Sequence, residues 1–100
     1  MELPRFGLGT YQLHGQVCHD MVCCALQRGY SLIDTAQVYR NEHIVGTALK
    51  RSGVPRNKVF LVSKLHPKHL GSPETLEASV LESLEKLGID YIDLYAAVTF

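Results

Sequence analysis

The sequence predicts an α/β fold of parallel strands joined by helical crossovers, and three observations predict it. Short apolar runs alternate with longer amphipathic stretches in the order β-α-β-α-β-α-β. The units recur at about 30 residues, the size of a strand–helix–strand module. The run "VFLVSKL" is almost continuously apolar, as suits a parallel strand covered on both faces. Right-handed crossovers of this kind leave two architectures open, a (β/α) barrel and a doubly wound sheet. No GxGxxG links a strand to a helix, since "GLGTYQ" is not one, which lowers the dinucleotide-binding version of the second.

Each element has a local justification. "PRFGLGTYQ" is a short strand that ends at Thr10 and Tyr11. "QVCHDMVCCALQRGY" follows as a helix, with Val17, Met21 and Ala25 at helical spacing, Val22 alongside, and Gly29 at the C′ position where positive φ costs glycine little. "SLIDTA" is the second strand. "NEHIVGTALKRSG" is a second helix in which Asn41 can cap, Glu42 suits the positive end and Gly53 can close. Its buried stripe is Ile44, Val45, Ala48 and Leu49, and Gly46 marks a close helix–strand contact. "KVFLVSKL" is the third strand and "HPKHLG" a loop. "SPETLEASVLESLEKLG" is the clearest helix, with Ser72 as N-cap, Pro73 first, Gly88 closing, and Leu76, Val80, Leu84 and Leu87 on one face. "YIDLYAAVTF" is a fourth strand, within which Asp93 reads as structural. Residues 1–100 carry no linker or composition shift and read as one domain.

Composition narrows the function. With 46% hydrophobic and 20% charged residues the chain can build a core, which argues against disorder. Ten basic residues balance ten acidic ones, so neither nucleic acid nor an anionic membrane is favoured as a partner. No apolar run approaches the ~20 residues of a membrane helix, and "MELPRFGLGTYQ" lacks a signal-peptide core. Cys18, Cys23 and Cys24 suit buried thiols on a helix rather than a disulfide framework or a zinc site, which points to the cytoplasm and to no metal. His14, His19, His43 and His69 have no partner spacing and read as surface or loop residues.

If the fold is a barrel, chemistry belongs at the C-terminal ends of the strands. Thr10 and Tyr11 end the first strand, Asp34 the second, and Lys64 the third, while Tyr39 lies in the loop after the second. A free phenol is a poor proton donor at neutral pH. A nearby ammonium stabilises its phenolate, and a carboxylate keeps that ammonium charged and oriented. Such a trio can protonate an alkoxide as it develops on a carbonyl. By residue type alone, Asp34 reads more readily as a strand-end cap, Tyr39 as a packing residue and Lys64 as a surface lysine.

"DTAQVYRNEHIVG", "VFLVSKL" and "SLEKLGIDYIDLY" resemble the aldo-keto reductases, from about Gly7 to Tyr95. The resemblance implies the N-terminal half of a (β/α)8 barrel, with about four strands and three helices. It implies an NADPH-dependent oxidoreductase that reduces aldehydes and ketones to alcohols. In that case Tyr39 is the proton donor, Lys64 its activating partner and Asp34 the group that orders the lysine. The same resemblance assigns Thr10, Tyr11 and Asp34 to the cofactor and His66 to the substrate pocket. The family's fourth catalytic residue, a histidine, is expected where this chain has Val98. The expectation is therefore a truncated, weakly active or inactive form. The alternative is a non-catalytic splice or pseudogene product, inert or acting through protein contacts, with self-association through open sheet edges.

Overall fold

The computed structural model describes residues 6–65 and 71–97. Strands β1 (Gly7–Gly9), β2 (Leu32–Asp34), β3 (Phe60–Leu65) and β4 (Leu94–Ala97) form one sheet in that order, every pair parallel. Helices α1 (Gly15–Gln27), α2 (Glu42–Arg51) and α3 (Pro73–Leu87) make the three crossovers. Two 3-10 turns, Gln37–Tyr39 and Arg56–Lys58, precede α2 and β3. The expected order of elements holds, and the second strand, Leu32–Asp34, is shorter than "SLIDTA", although the Thr35 amide still donates to the Val62 carbonyl at 2.9 Å.

Parallel strands with period-two side chains have two unlike faces. The register sets Leu8 beside Ile33 beside Leu61 on the helical side. There they meet Cys18, Val22 and Leu26 of α1, Val45, Ala48 and Leu49 of α2, and Leu87 of α3 in one buried cluster. The opposite face carries Gly9, Asp34 and Val62 in one row, with Lys64 two residues beyond Val62.

Helix α3 begins as its sequence demands. The Ser72 side chain accepts from the Thr75 amide at 3.1 Å, Pro73 occupies the first turn, and Gly88 closes the helix at φ 67°. Its inner face, however, is not the expected one. Ser79, Ser83 and Leu87 are buried, Val80 and Leu84 are half-buried, and Leu76 is 39% and Leu81 58% exposed. The serines are inside because they have partners there. Ser79 donates to Gln37 Oε1 at 2.9 Å, and Ser83 lies 3.0 Å from Tyr95 Oη on β4.

Helix α1 is likewise rotated by one position. Cys18, Val22 and Leu26 point inward, whereas Val17 and Met21 are 62% and 45% exposed. Both rows are apolar at helical spacing, and the packing against α2 selects one of them. Cys23 Sγ donates to the Ala48 carbonyl at 3.4 Å across that contact. The expectation of three buried thiols is corrected in part, since Cys18 is buried, Cys23 half-buried and Cys24 exposed. Helix α2 buries Val45, Ala48 and Leu49 as expected, with Ile44 at its margin. Gly46 makes a close contact with the end of α3 rather than with a strand.

Two outcomes follow from this packing. A Cβ built on Gly46 would meet Leu87 backbone, 2.7 Å from its carbonyl carbon and 2.8 Å from its Cα. Gly46→Ala should therefore cost at least ~1–3 kcal/mol, read as a lowered urea midpoint at unchanged slope. Burial raises the pKa of Cys18; burial, then the Asp20 charge, raises that of Cys23 against an opposing Arg51. A raised pKa means less thiolate at neutral pH. Iodoacetamide should modify Cys24 first and Cys18 last, and mass spectrometry of a time course would expose any other order.

Candidate active site

Asp34 and Lys64 share the sheet face that points away from the helices. Lys64 Nζ donates to Asp34 Oδ1, to the Thr35 carbonyl at 3.3 Å and to Tyr39 Oη at 3.3 Å. An ammonium has three donors, so all three have acceptors and its position is fully specified. The lysine side chain is 15% exposed and the aspartate 37%, which leaves the carboxylate an open side. This arrangement also decides the phenol's orientation. Because Tyr39 Oη accepts from Lys64, its own hydroxyl hydrogen points away from the ammonium.

Tyr39 reaches that position from the 3-10 turn. Its amide donates to Ala36 O at 3.1 Å and that of Arg40 to Gln37 O at 3.0 Å, after which Arg40 turns the chain into α2 at φ 58°. Sequence patterning showed only a loop here. Three residues carry no periodicity, so a single helical turn leaves no signal for pattern analysis.

The loop after β1 is joined to the same rim. Thr10 is fully buried, and both its amide and its hydroxyl donate to the Asp34 carbonyl, at 2.9 and 3.0 Å. Its side chain is thus committed internally, and it braces the strand that carries Asp34. Tyr11 is 65% exposed and lies against the Tyr39 ring, with centroids 5.3 Å apart and planes at 54°. His66 and Val98 lie outside the described residues.

Asn41 departs from its expected role. It sits at the N-cap position of α2 but makes no side-chain cap bond. Instead it is fully buried, accepts from Thr35 Oγ1 at 2.6 Å, and donates to the carbonyls of Thr10 at 2.9 Å and Leu13 at 3.0 Å. It ties together the loop bearing Tyr11 and the strand end bearing Asp34. Glu42 is in the first turn as expected, yet it is 2% exposed and accepts from Ser63 Oγ at 2.6 Å. Neither pairing leaves a local trace, because the partners are between 6 and 31 residues away.

Chemically, the arrangement sets a phenol beside an ammonium that a carboxylate and a backbone carbonyl hold in place. Tyr11 presents an exposed ring and Asp34 a partly open carboxylate at the C-terminal ends of the strands.

Known proteins resemble this chain over nearly its whole length. The profile of the Aldo/keto reductase family matches residues 5–97. The chain is 47% identical over 94 residues to methylglyoxal reductase DkgB of Salmonella typhi, covering 94% of this chain and 35% of the relative. It is 45% identical over 94 residues to a glycerol 2-dehydrogenase (NADP(+)) of Saccharomyces cerevisiae, covering 94% and 29%. The crystal structure of an aldo-keto reductase from a Medee basin deep-sea metagenome library superposes with a TM-score of 0.94 at 41% identity, over 100% of this chain and 36% of that one. The chain thus spans about a third of the length of these relatives, and its four parallel strands with three helices correspond to part of a TIM barrel.

Asn41→Ala would strand the Thr35 hydroxyl and two loop carbonyls. Buried groups left unpaired cost about 1–3 kcal/mol each, so a loss on the order of 3 kcal/mol is expected in urea unfolding. A change below about 0.5 kcal/mol would mean that water replaces the amide without penalty.

Proposed function

Because the chain belongs to the Aldo/keto reductase family, we propose that it supplies the proton-handling side of an NADPH-dependent carbonyl reductase site. The activity is that of the whole barrel, of which these residues form the first strands. NADPH, when bound, supplies the hydride. Tyr39 gives its hydroxyl proton to the carbonyl oxygen of an aldehyde or ketone as negative charge gathers there. Lys64 then holds the phenolate, and Asp34 balances and orients Lys64. Tyr11 and Asp34 face the cofactor, and Thr10 supports them from below. The observation that carries the reading is the threefold bonding of the Lys64 ammonium, which fixes the phenol oxygen with its proton turned away from the ammonium. The name of the DkgB relative directs the first assay to a small aldehyde, methylglyoxal. Three unbridged cysteines suit a reducing compartment such as the cytoplasm.

A second reading is favoured by one residue. Val98 stands where the family resemblance calls for histidine, and valine has no donor for a carbonyl oxygen. In that reading the protein does no reduction and acts through protein contacts, including self-association at the sheet edges. Among the described residues, β1 and β4 each pair on one side only, and unpaired edges recruit other strands.

The assays separate the two. In the whole protein, Tyr39→Phe should abolish methylglyoxal-dependent NADPH oxidation and leave NADPH binding, read by fluorescence, within a few fold. Retention of most of kcat by that variant would remove Tyr39 as the acid. Lys64→Met should lower kcat on the order of 10²-fold or more, with an altered pH profile. An unchanged profile would take Lys64 out of the tyrosine's chemistry. No NADPH oxidation by the unaltered protein, together with concentration-dependent sedimentation, would favour the second reading.

A further inference from the structure

We propose that Gln37 is a positioning residue, which holds the Tyr39 hydroxyl against Lys64 by clamping the 3-10 turn onto α3. The inference rests on the reading of Tyr39 as the acid. A three-residue turn has little stiffness of its own, and this one ends in a non-glycine residue, Arg40, at a left-handed φ of 58°. Something outside the turn must hold it. The Gln37 amide does so with three bonds. Nε2 donates to the Ser79 carbonyl at 2.8 Å and to Ser83 Oγ at 3.0 Å, and Oε1 accepts from Ser79 Oγ at 2.9 Å.

The clamp reaches the strand that pairs with the lysine's own. Ser83 Oγ lies 3.0 Å from Tyr95 Oη, and Tyr95 on β4 is the register partner of Ser63, the residue before Lys64. Ammonium and phenol are thus tied through the sheet on one side and through α3 and Gln37 on the other. The helix itself records the constraint. Burying hydroxyls while Leu76 and Leu81 stay exposed is unfavourable unless the hydroxyls are bonded. The rotation of α3 is therefore set by its polar partners. The geometry is also sensitive, since the Nζ to Oη distance of 3.3 Å sits near the outer limit of a hydrogen bond. A displacement of the turn by ~1 Å would break it.

The test reads the pairing rather than the activity. The protein is labelled with ¹³C at tyrosine Cζ, and the Tyr39 signal is assigned by its loss in Tyr39→Phe. Lys64→Met should move that signal in the otherwise unaltered protein. In a Gln37→Leu background the same Lys64→Met change should move it little, because the hydroxyl has already left the ammonium. Ser83→Ala keeps both Ser79 bonds and should give a partial loss of the response, so the proposal stays testable if Gln37→Leu fails to fold. An undiminished Lys64→Met response in Gln37→Leu, or in Ser83→Ala where Gln37→Leu does not fold, overturns the positioning role while leaving Tyr39 paired with Lys64. No response even in the otherwise unaltered protein overturns both this inference and the reading it rests on. A merely stabilising role for Gln37 would lower the melting temperature and leave the response undiminished.

Discussion

An ammonium at the end of a largely covered strand needs three acceptors, and the way the fold supplies them organises the rim. Lys64 is held to a carboxylate from β2, the backbone just beyond β2, and a phenol from the following turn. Satisfying a nearly buried cation in this manner offsets its desolvation, and removing any one acceptor would leave a donor pointing at nothing. The arrangement depends on β2 and β3 lying parallel and in the observed register, since a one-residue slip would turn Lys64 to the helical face.

Around that ion the sheet divides its labour. The helical side is largely apolar, with Ile33, Leu61 and the inner rows of α1 and α2, and it also buries the Ser63–Glu42 hydrogen bond. The C-terminal rim is polar and internally bonded, through Thr10, Thr35 and Asn41 on one flank and Gln37, Ser79 and Ser83 on the other. Side chains with little conformational slack, each satisfied within the protein, hold loops that have no regular structure to hold them. Tyr11 and Tyr39 stand on connecting segments and Asp34 and Lys64 on strands, and the rigid elements beneath determine where the candidate residues meet.

The opposite end of the sheet is bonded just as closely, through a cluster around Asp93. Asp93 accepts from the Leu61 amide at 2.8 Å and from Arg56 at 2.9 Å, while the Arg56 guanidinium lies 4.0 Å from the centre of the Tyr91 ring. Asp93 thereby anchors the entry of β4 to β3, the structural role its sequence context suggested. In a (β/α) architecture the N-terminal ends of the strands serve stability and the C-terminal ends serve chemistry. The Asp93 cluster lies at the first of these ends and the Lys64 cluster at the second.

The sequence by itself determined what local rules control. Strand and helix order came from hydrophobic period, the start of α3 from Ser72 and Pro73, and the candidate trio from the spacing of Asp34, Tyr39 and Lys64 in a family-like motif. Only the tertiary structure decided which faces turn inward. In α1 two adjacent rows satisfy the same helical period, and contact with α2 chose Cys18, Val22 and Leu26. In α3 the leucine row yielded to serines because Gln37, more than 40 residues earlier, and Tyr95 offered them hydrogen bonds. Asn41 and Glu42 had plausible local roles at a helix start, and distant partners claimed both side chains instead. Periodicity and capping describe a residue's neighbours along the chain, whereas the energy of a buried polar group depends on neighbours through space.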